Sequence, residues 1–380
     1  MKPDPDHGDD EALRSELTDT LAAAGHLRTE PWRRAMREVP RRTFLRDGLF
    51  RRNGTGWEPL TATHPDWLAL CHRDEPVVTR VAGIRPDELG SVIYREPTHT
   101  SPAPSLAARI LEEARIEDGM SVLHIGTGTG YLAALLTHRL GDHLVTTVEL
   151  DRDVARRARE ALSLAGYNPH LVNGNAVTGW EEATGPWDRI ISTCAVITVP
   201  RLWFTLTRPG GQIITPVSGG MNAGALARLT VGEGGLLADP DVALGRLITP
   251  GGAELGLAHP QEPHPSGPLP DITTSERPAV ITPDDLAEPT TRFVAQAAAP
   301  WLRDLRLPDG HLYWDPEAKV WAALRQDGDK WTVRQSGYPV WNRIEEQVNR
   351  WRADGSPGLH EFTVAATADG HLLTFWDDAR

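Results

Sequence analysis

The run Val122-Leu-His-Ile-Gly126-Thr-Gly128-Thr-Gly130-Tyr131 constrains the fold more than any other part of the chain. An apolar strand passes directly into a glycine-rich turn that opens a helix, the arrangement that lets a main chain approach a nucleotide-like ligand. Downstream, apolar segments at 121–125, 144–150, 170–173, 187–194 and 212–217 alternate with helical patterns at 131–140, 151–165 and 200–206. Such alternation predicts an α/β fold, a parallel sheet with helices on both faces. Asp151 and Gly166 are placed to start and stop the second helix, and Pro209-Gly210-Gly211 turns the chain before the last strand.

The glycine spacing narrows the ligand. A dinucleotide fingerprint sets its third glycine five positions after the first, and Tyr131 stands there, with the additional glycine at 130. That disfavours NAD. Glu149 ends the second apolar segment, where a carboxylate can accept hydrogen bonds from both hydroxyls of a ribose; the competing reading is a tight turn beside a solvated strand end.

Around this core the chain divides into a helical lead-in (1–75), the ligand-binding unit (76–240), a Pro-rich linker or loop (241–290) and a separate α+β unit (291–380). The lead-in carries helical spacing at 11–27 and 31–37, and short extended signals follow at 77–81 and 91–94 before a helix at 105–114. His259 to Pro270 is too rich in proline for a helix or central strand. In the last unit a helix at 291–305 precedes strand-like 311–314, 320–324 and 331–334. Asp327-Gly328 is a turn, a helix follows at 340–351, and the end reads as a hairpin turned at Asp369-Gly370. Trp301, Trp314, Trp321, Trp331, Trp341, Trp351 and Trp376 mark it either as a core or as a peptide-gripping surface.

Composition removes several functions. The formal net charge is −13 at pH 7, which argues against wrapping a phosphate backbone, so nucleic acid is not an expected partner. No apolar run reaches the roughly 20 residues of a membrane span, and the acidic start does not resemble a signal peptide. Two distant cysteines, Cys71 and Cys194, make neither a disulfide framework nor a Cys-based metal site, and the 14 histidines show no ligand spacing. No metal is expected, and a reducing cytoplasm fits.

Taken together, Gly-Thr-Gly-Thr-Gly-Tyr after a strand, Glu149, Gly174-Asn175-Ala176, and Pro209-Gly-Gly with Pro216-Val217 resemble a Rossmann-like class I S-adenosylmethionine-dependent methyltransferase. More narrowly they resemble the protein-L-isoaspartate O-methyltransferases, whose Thr-hydrophobic-Ser-x-Pro signature is echoed by Thr98-His99-Thr100-Ser101-Pro102, and whose amino-terminal segment by Val39-Pro40-Arg41-Arg42-x-Phe44. The likeness covers about residues 30 to 235. It implies that Gly126, Thr127, Gly128, Thr129, Gly130, Tyr131 and Leu150 line the cofactor S-adenosyl-L-methionine, that Glu149 holds its ribose, and that Asn175 and Ala176 flank its adenine. It further implies that Thr100 faces the transferred methyl, with His99 and Ser101 on the substrate side. A hydroxyl such as Thr100 can position a carboxylate without taking a proton from it, since a carboxylate is already a nucleophile at neutral pH. The plain alternative makes Thr100 a turn or cap residue before the helix at 105.

Departures from the family pattern bear on substrate. His124 stands where the family carries an acidic residue, either bracing the loop or meeting the cofactor, and Asn175-Ala176 replaces Asp-Gly. Ala103-Pro104-Ser105 follows Pro102 in place of an aromatic or His and then Met. With the long carboxy-terminal extension, these resemble the branch that methylates an Asp of a modified ribosomal peptide, leading to an aspartimide. Ordinary isoaspartate repair and a non-catalytic binding protein are the alternatives; the partner is a peptide or protein bearing an Asp or isoAsp carboxylate, of open oligomeric state.

Overall fold

The computed structural model describes residues 7–181, 183–232, 242–251, 276–315, 317–367 and 370–374. Helices α1 (His7–Ala23) and α2 (Glu30–Glu38) open it, α2 carrying Pro31 in its first turn, where a missing N–H is tolerated, and burying Trp32, Ala35 and Met36. The 3-10 turn Arg41–Leu45 then leads into a hairpin of β1 (Leu49–Asn53) and β2 (Gly56–Leu60). The expectation of a helical 1–75 missed this hairpin. Its signal was Asn53-Gly54: Gly54 takes φ +58°, and Arg51 faces Glu58 across the strands at 2.9 Å.

After the short α3 (Trp67–Cys71) come β3 (Val77–Val81) and β4 (Pro97–Ser101), completing an antiparallel sheet in the order β2-β1-β3-β4. β3 lies where its pattern placed it, whereas residues 91–94 contribute only a bridge from Ile93 to Trp57. β4, which carries Thr100, has no strand signal in the sequence, because polar residues between Pro97 and Pro102 leave no apolar alternation.

From α4 (Pro104–Glu113) onward the expected alternation is observed. It runs β5 (Val122–Ile125), α5 (Tyr131–Leu140), β6 (Val145–Glu149), α6 (Arg152–Leu164), β7 (His170–Asn173), β8 (Trp187–Ser192), α7 (Arg201–Leu206) and β9 (Thr207–Ser218). Strands β7-β6-β5-β8-β9 are parallel, and every residue of β5 is buried, as strands covered on both faces must be. α6 shows one buried stripe, Val154, Ala155, Ala158, Ala161 and Leu162, and its Asp151 cap accepts from the N–H groups of Asp153 and Val154, a bond worth about 1 kcal/mol. Strand order reverses between β5 and β8, and the crevice at the carboxyl ends of these strands is where open α/β sheets bind ligands.

The expected boundaries at 240 and 290 do not follow the sheet. β10 (Gly224–Val231) and β11 (Val242–Gly251) extend it antiparallel from β9, placing a strand inside the range read as linker. The run His259 to Pro270 lies outside the described residues. β12 (Arg277–Pro278), α8 (Pro289–Ala298), β13 (Arg303–Leu307), β14 (Gly310–Asp315), β15 (Val320–Asp327), β16 (Lys330–Gln335) and α9 (Val340–Ala353) form a second unit, a five-stranded antiparallel sheet with two helices. The helix expected over 291–305 stops at Ala298, because Pro300 cannot continue it and disfavours helix at the residue before. Then β17 (Thr363–Thr367) returns to β11 and β18 (Gly370–Thr374) closes a nine-stranded sheet.

The carboxy-terminal unit is therefore not free-standing. Gln296 hydrogen-bonds both the N–H and the C=O of Ala223, and Trp341, Ile344 and Phe362 share one apolar cluster with Ile190 and Ile213 of the central sheet. Trp321, Trp341 and Trp351 are core, Trp314 and Trp331 are half-buried, Trp301 is exposed, and Trp376 lies outside the described residues. Among the described residues no helix is long and apolar enough to cross a membrane.

Candidate active site

A cavity of about 400 Å³ opens at the carboxyl ends of β5, β6 and β8. Its floor is the glycine turn. Gly126 has φ +85°, and a Cβ there would stand 2.5 Å from Cys194 Sγ and 2.9 Å from Thr193 Oγ1, so any side chain would fill the cradle. Gly130, at φ +94°, starts α5 against Phe44, Ala158 and Leu162.

Glu149 holds this turn in place. Its Oε2 accepts from the Gly128 N–H at 2.9 Å and its Oε1 from the Asp151 N–H at 3.1 Å. An ionised carboxylate offers about four lone-pair sites, so acceptor capacity remains for two ribose hydroxyls. Beneath the turn runs a buried chain: His124 Nδ1 to Thr147 Oγ1 at 2.9 Å, and Thr147 Oγ1 to Thr127 Oγ1 at 2.7 Å. Burial pushes the His124 imidazole down to about 3, so it is neutral, and its Nε2 is buried without a partner among the described residues while the ring lines the cavity. The glycine cradle, the unfilled carboxylate and this orphaned nitrogen fit an adenosyl cofactor.

The facing wall comes from the small antiparallel sheet and the 3-10 turn before it. Thr98, His99, Thr100 and Ser101 of β4, Thr79 and Arg80 of β3, and Phe44 and Arg46 of the 3-10 turn all line the cavity. Thr100 is a strand residue opposite Val78, and α4 is capped by Ala103 instead, so the helix-cap alternative for Thr100 does not apply. Burial first, and then the Arg80 charge, push His99 below the usual imidazole range. Arg41 anchors this wall: wholly buried, it donates to the carbonyls of Cys71 at 2.7 Å and Pro102 at 3.3 Å, and its guanidinium lies 5.8 Å from the Tyr131 ring centroid.

Of the residues anticipated from sequence, Gly126, Thr127, Gly128, Thr129, Tyr131, Glu149, Leu150, His99, Thr100 and Ser101 are brought together in the cavity wall. Gly130 sits just behind it. Asn175 and Ala176 do not reach it: Asn175 Oδ1 is spent on the N–H groups of Val177 and Thr178, and the Ala176 carbonyl on Trp203 Nε1. Arg157 of α6 also lines the cavity and pairs with Asp47 at 3.0 Å. Thr193 and Cys194, which follow β8 at the sheet's switch point, also line the cavity, a position that marks ligand contacts in such folds.

A parallel sheet of this order, with a glycine cradle and a ribose-type carboxylate at its switch point, defines a Rossmann-like methyltransferase. The family model described as protein-L-isoaspartate(D-aspartate) O-methyltransferase (PCMT) matches residues 90–234. A protein-L-isoaspartate O-methyltransferase of Thermococcus sibiricus is 30% identical over 53% of this chain and 76% of its own length, and one of Thermococcus onnurineus is 31% identical over 55% and 80%. One of Thermotoga maritima is 38% identical over 31% of this chain, which spans only 38% of that protein. A solved structure titled protein-L-isoaspartate O-methyltransferase covers 95% of this chain and 99% of itself, at 20% identity and a TM-score of 0.52, a likeness of fold. The chain belongs to the protein-L-isoaspartate O-methyltransferase family.

Proposed function

We propose that the protein transfers a methyl group from S-adenosyl-L-methionine to a carboxylate of an isoaspartyl or aspartyl residue in a peptide or protein. The observation that carries this reading is the single cavity in which the Gly126–Glu149 cradle faces the hydroxyl wall of Thr98, Thr100 and Ser101. When bound, the cofactor supplies an electrophilic methyl on a sulfonium: a carboxylate oxygen forms the O–C bond as the C–S bond breaks, its electron pair leaves with sulfur, and no proton moves.

Without proton transfer, the chain's own task is alignment and exclusion of water. Glu149 would hold the ribose, the turn at Gly126 and Gly128 would receive the methionine portion, and Leu150 would contact the adenosine. Thr100 orients the carboxylate. His99 beside it, held below the usual imidazole range by burial, adds no positive charge that would compete with the cofactor for an anion.

A second reading, methylation of an Asp in a modified ribosomal peptide followed by closure to an aspartimide, draws on Ala103-Pro104-Ser105 and on His124, where the sequence leaves the family pattern. The long carboxy-terminal part does not favour it, because the solved family member is matched over 95% of this chain. The test is methyl transfer to an unstructured isoaspartyl peptide beside its Asp counterpart and a constrained, modified Asp peptide. Base-labile ester on the isoaspartyl peptide is the expected result. Ester on the constrained peptide alone, with loss of methanol, selects the second reading, and transfer to none of the three overturns the assignment.

A further inference from the structure

A carboxylate brought into a cavity loses water, and hydroxyls alone do not compensate its charge. Four arginines line the cavity: Arg46, Arg80, Arg85 and Arg157. Arg46 is matched by Glu160 at 2.7 Å, Arg85 by Asp87 at 2.9 Å and Glu88 at 3.1 Å, and Arg157 by Asp47 at 3.0 Å. Arg80 differs. Its ion-pair partner among the described residues is Asp153, reached by Nη2 at 2.6 Å, and that carboxylate is also shared by Arg156 at 2.6 Å, Arg85 at 3.5 Å and Arg157 at 3.6 Å. One acid divided among four guanidinium groups leaves Arg80 the least compensated cation of the wall.

The backbone aims it there. Arg80 lies across from His99 in the β3–β4 pairing, and the register shifts on both sides of it, between Val78 and Arg80 and between Arg80 and Val81. In a regular strand neighbouring side chains point to opposite faces, yet Thr79 and Arg80 both line the cavity, the effect of an irregularity that re-aims a side chain beside a site. The Arg80 side chain is 10% exposed, so its charge acts in a partly dry setting.

We propose that Arg80 seats the substrate carboxylate: one edge of the guanidinium stays on Asp153, and the other takes one oxygen of the carboxylate, leaving the second oxygen beside Thr100 for transfer. This rests on the carboxyl-methylation reading above. Arg80 is then a positioning and specificity residue, admitting an anionic side chain and rejecting its amide.

The test combines steady-state methylation of an isoaspartyl peptide with calorimetric binding of S-adenosylhomocysteine for Arg80→Ala, Arg80→Lys and Asp153→Asn. Loss of a charged hydrogen bond raises KM for the peptide about 10- to 100-fold in Arg80→Ala, with cofactor-product affinity within about twofold. Arg80→Lys recovers part of that loss, and added salt raises the wild-type KM more than that of Arg80→Ala. Asp153→Asn keeps KM within about threefold, because it removes a competitor and not the cation. Unchanged KM in Arg80→Ala, or the same loss in Asp153→Asn as in Arg80→Ala, makes Arg80 a fastener between β3 and α6 and overturns the proposal. A wild type that esterifies no carboxylate overturns the functional reading with it, whereas an active wild type confines the failure to Arg80.

Discussion

The two walls of the cavity are built by different means. The cofactor wall is backbone: a turn at the end of β5, fixed by parallel pairing of Ile125 with Val148 and Ser192 and by main-chain N–H groups on Glu149. The substrate wall is side chain: the 3-10 turn is held to α6 by Arg157–Asp47 and Arg46–Glu160, and to the main chain at Cys71 and Pro102 by buried Arg41. A backbone site tolerates little substitution but places its ligand identically in any chain with the same glycines. A side-chain site can be retuned one residue at a time, and the departures from the family pattern at 103–105 fall beside it.

The severest break of that contrast is Gly126→Ala. The new Cβ meets Cys194 Sγ at 2.5 Å and imposes a left-handed conformation at φ +85°, where an alanine is strained by roughly 1–2 kcal/mol before the clash is counted. Affinity for S-adenosylhomocysteine should fall by about 100-fold or more, at about 1.4 kcal/mol per tenfold, while the peptide KM measured at saturating cofactor barely moves. A peptide KM that moves with the cofactor affinity would mean that the walls are not independent.

A matched pair tests each wall with less damage. Glu149→Ala removes the proposed ribose acceptor together with that of two main-chain N–H groups, and should weaken S-adenosylhomocysteine binding about 10- to 100-fold while kcat at saturation stays within about threefold. Thr100→Ala should do the reverse, lowering kcat about 10- to 100-fold through lost alignment with cofactor-product affinity unchanged. Equal losses of affinity and turnover in Thr100→Ala would remove its assigned role.

This division also explains what could be read without coordinates. β5, α5, β6, α6 and β7 were legible because a parallel sheet writes itself as apolar runs alternating with helical periods, and because Gly126 and Glu149 act through positions close in sequence to the strands that carry them. β4 was not, since Thr98-His99-Thr100 forms an edge of a small antiparallel sheet with no apolar face. Arg80 and Arg157 lie far apart in sequence and become neighbours at Asp153 only once β3 packs on α6. Strands β17 and β18 showed their own pattern, but their return to β11 after a whole intervening unit is a long-range pairing that local periodicity does not contain.

The smallest effect concerns His124, which stands on the backbone wall yet is a side chain in place of the family's acid. In the fold it titrates at about 3 because burial disfavours the charged ring, against roughly 6.5 in an unfolded chain. The unfolded chain therefore takes up the proton first on acidification. The contribution of neutral His124 is complete above about pH 6.5 and is lost as the pH falls toward 3, at about 1.4 kcal/mol per unit for one proton. His124→Asn keeps a polar group near Thr147 but cannot titrate in this range, so its urea midpoint should fall less than that of the wild type between pH 6 and pH 5. Parallel curves for the two proteins would show that the ring takes up its proton in the fold as readily as in the unfolded chain, so that below about pH 6.5 the turn at Thr127 would rest on an imidazolium, a positive charge under the site of a sulfonium.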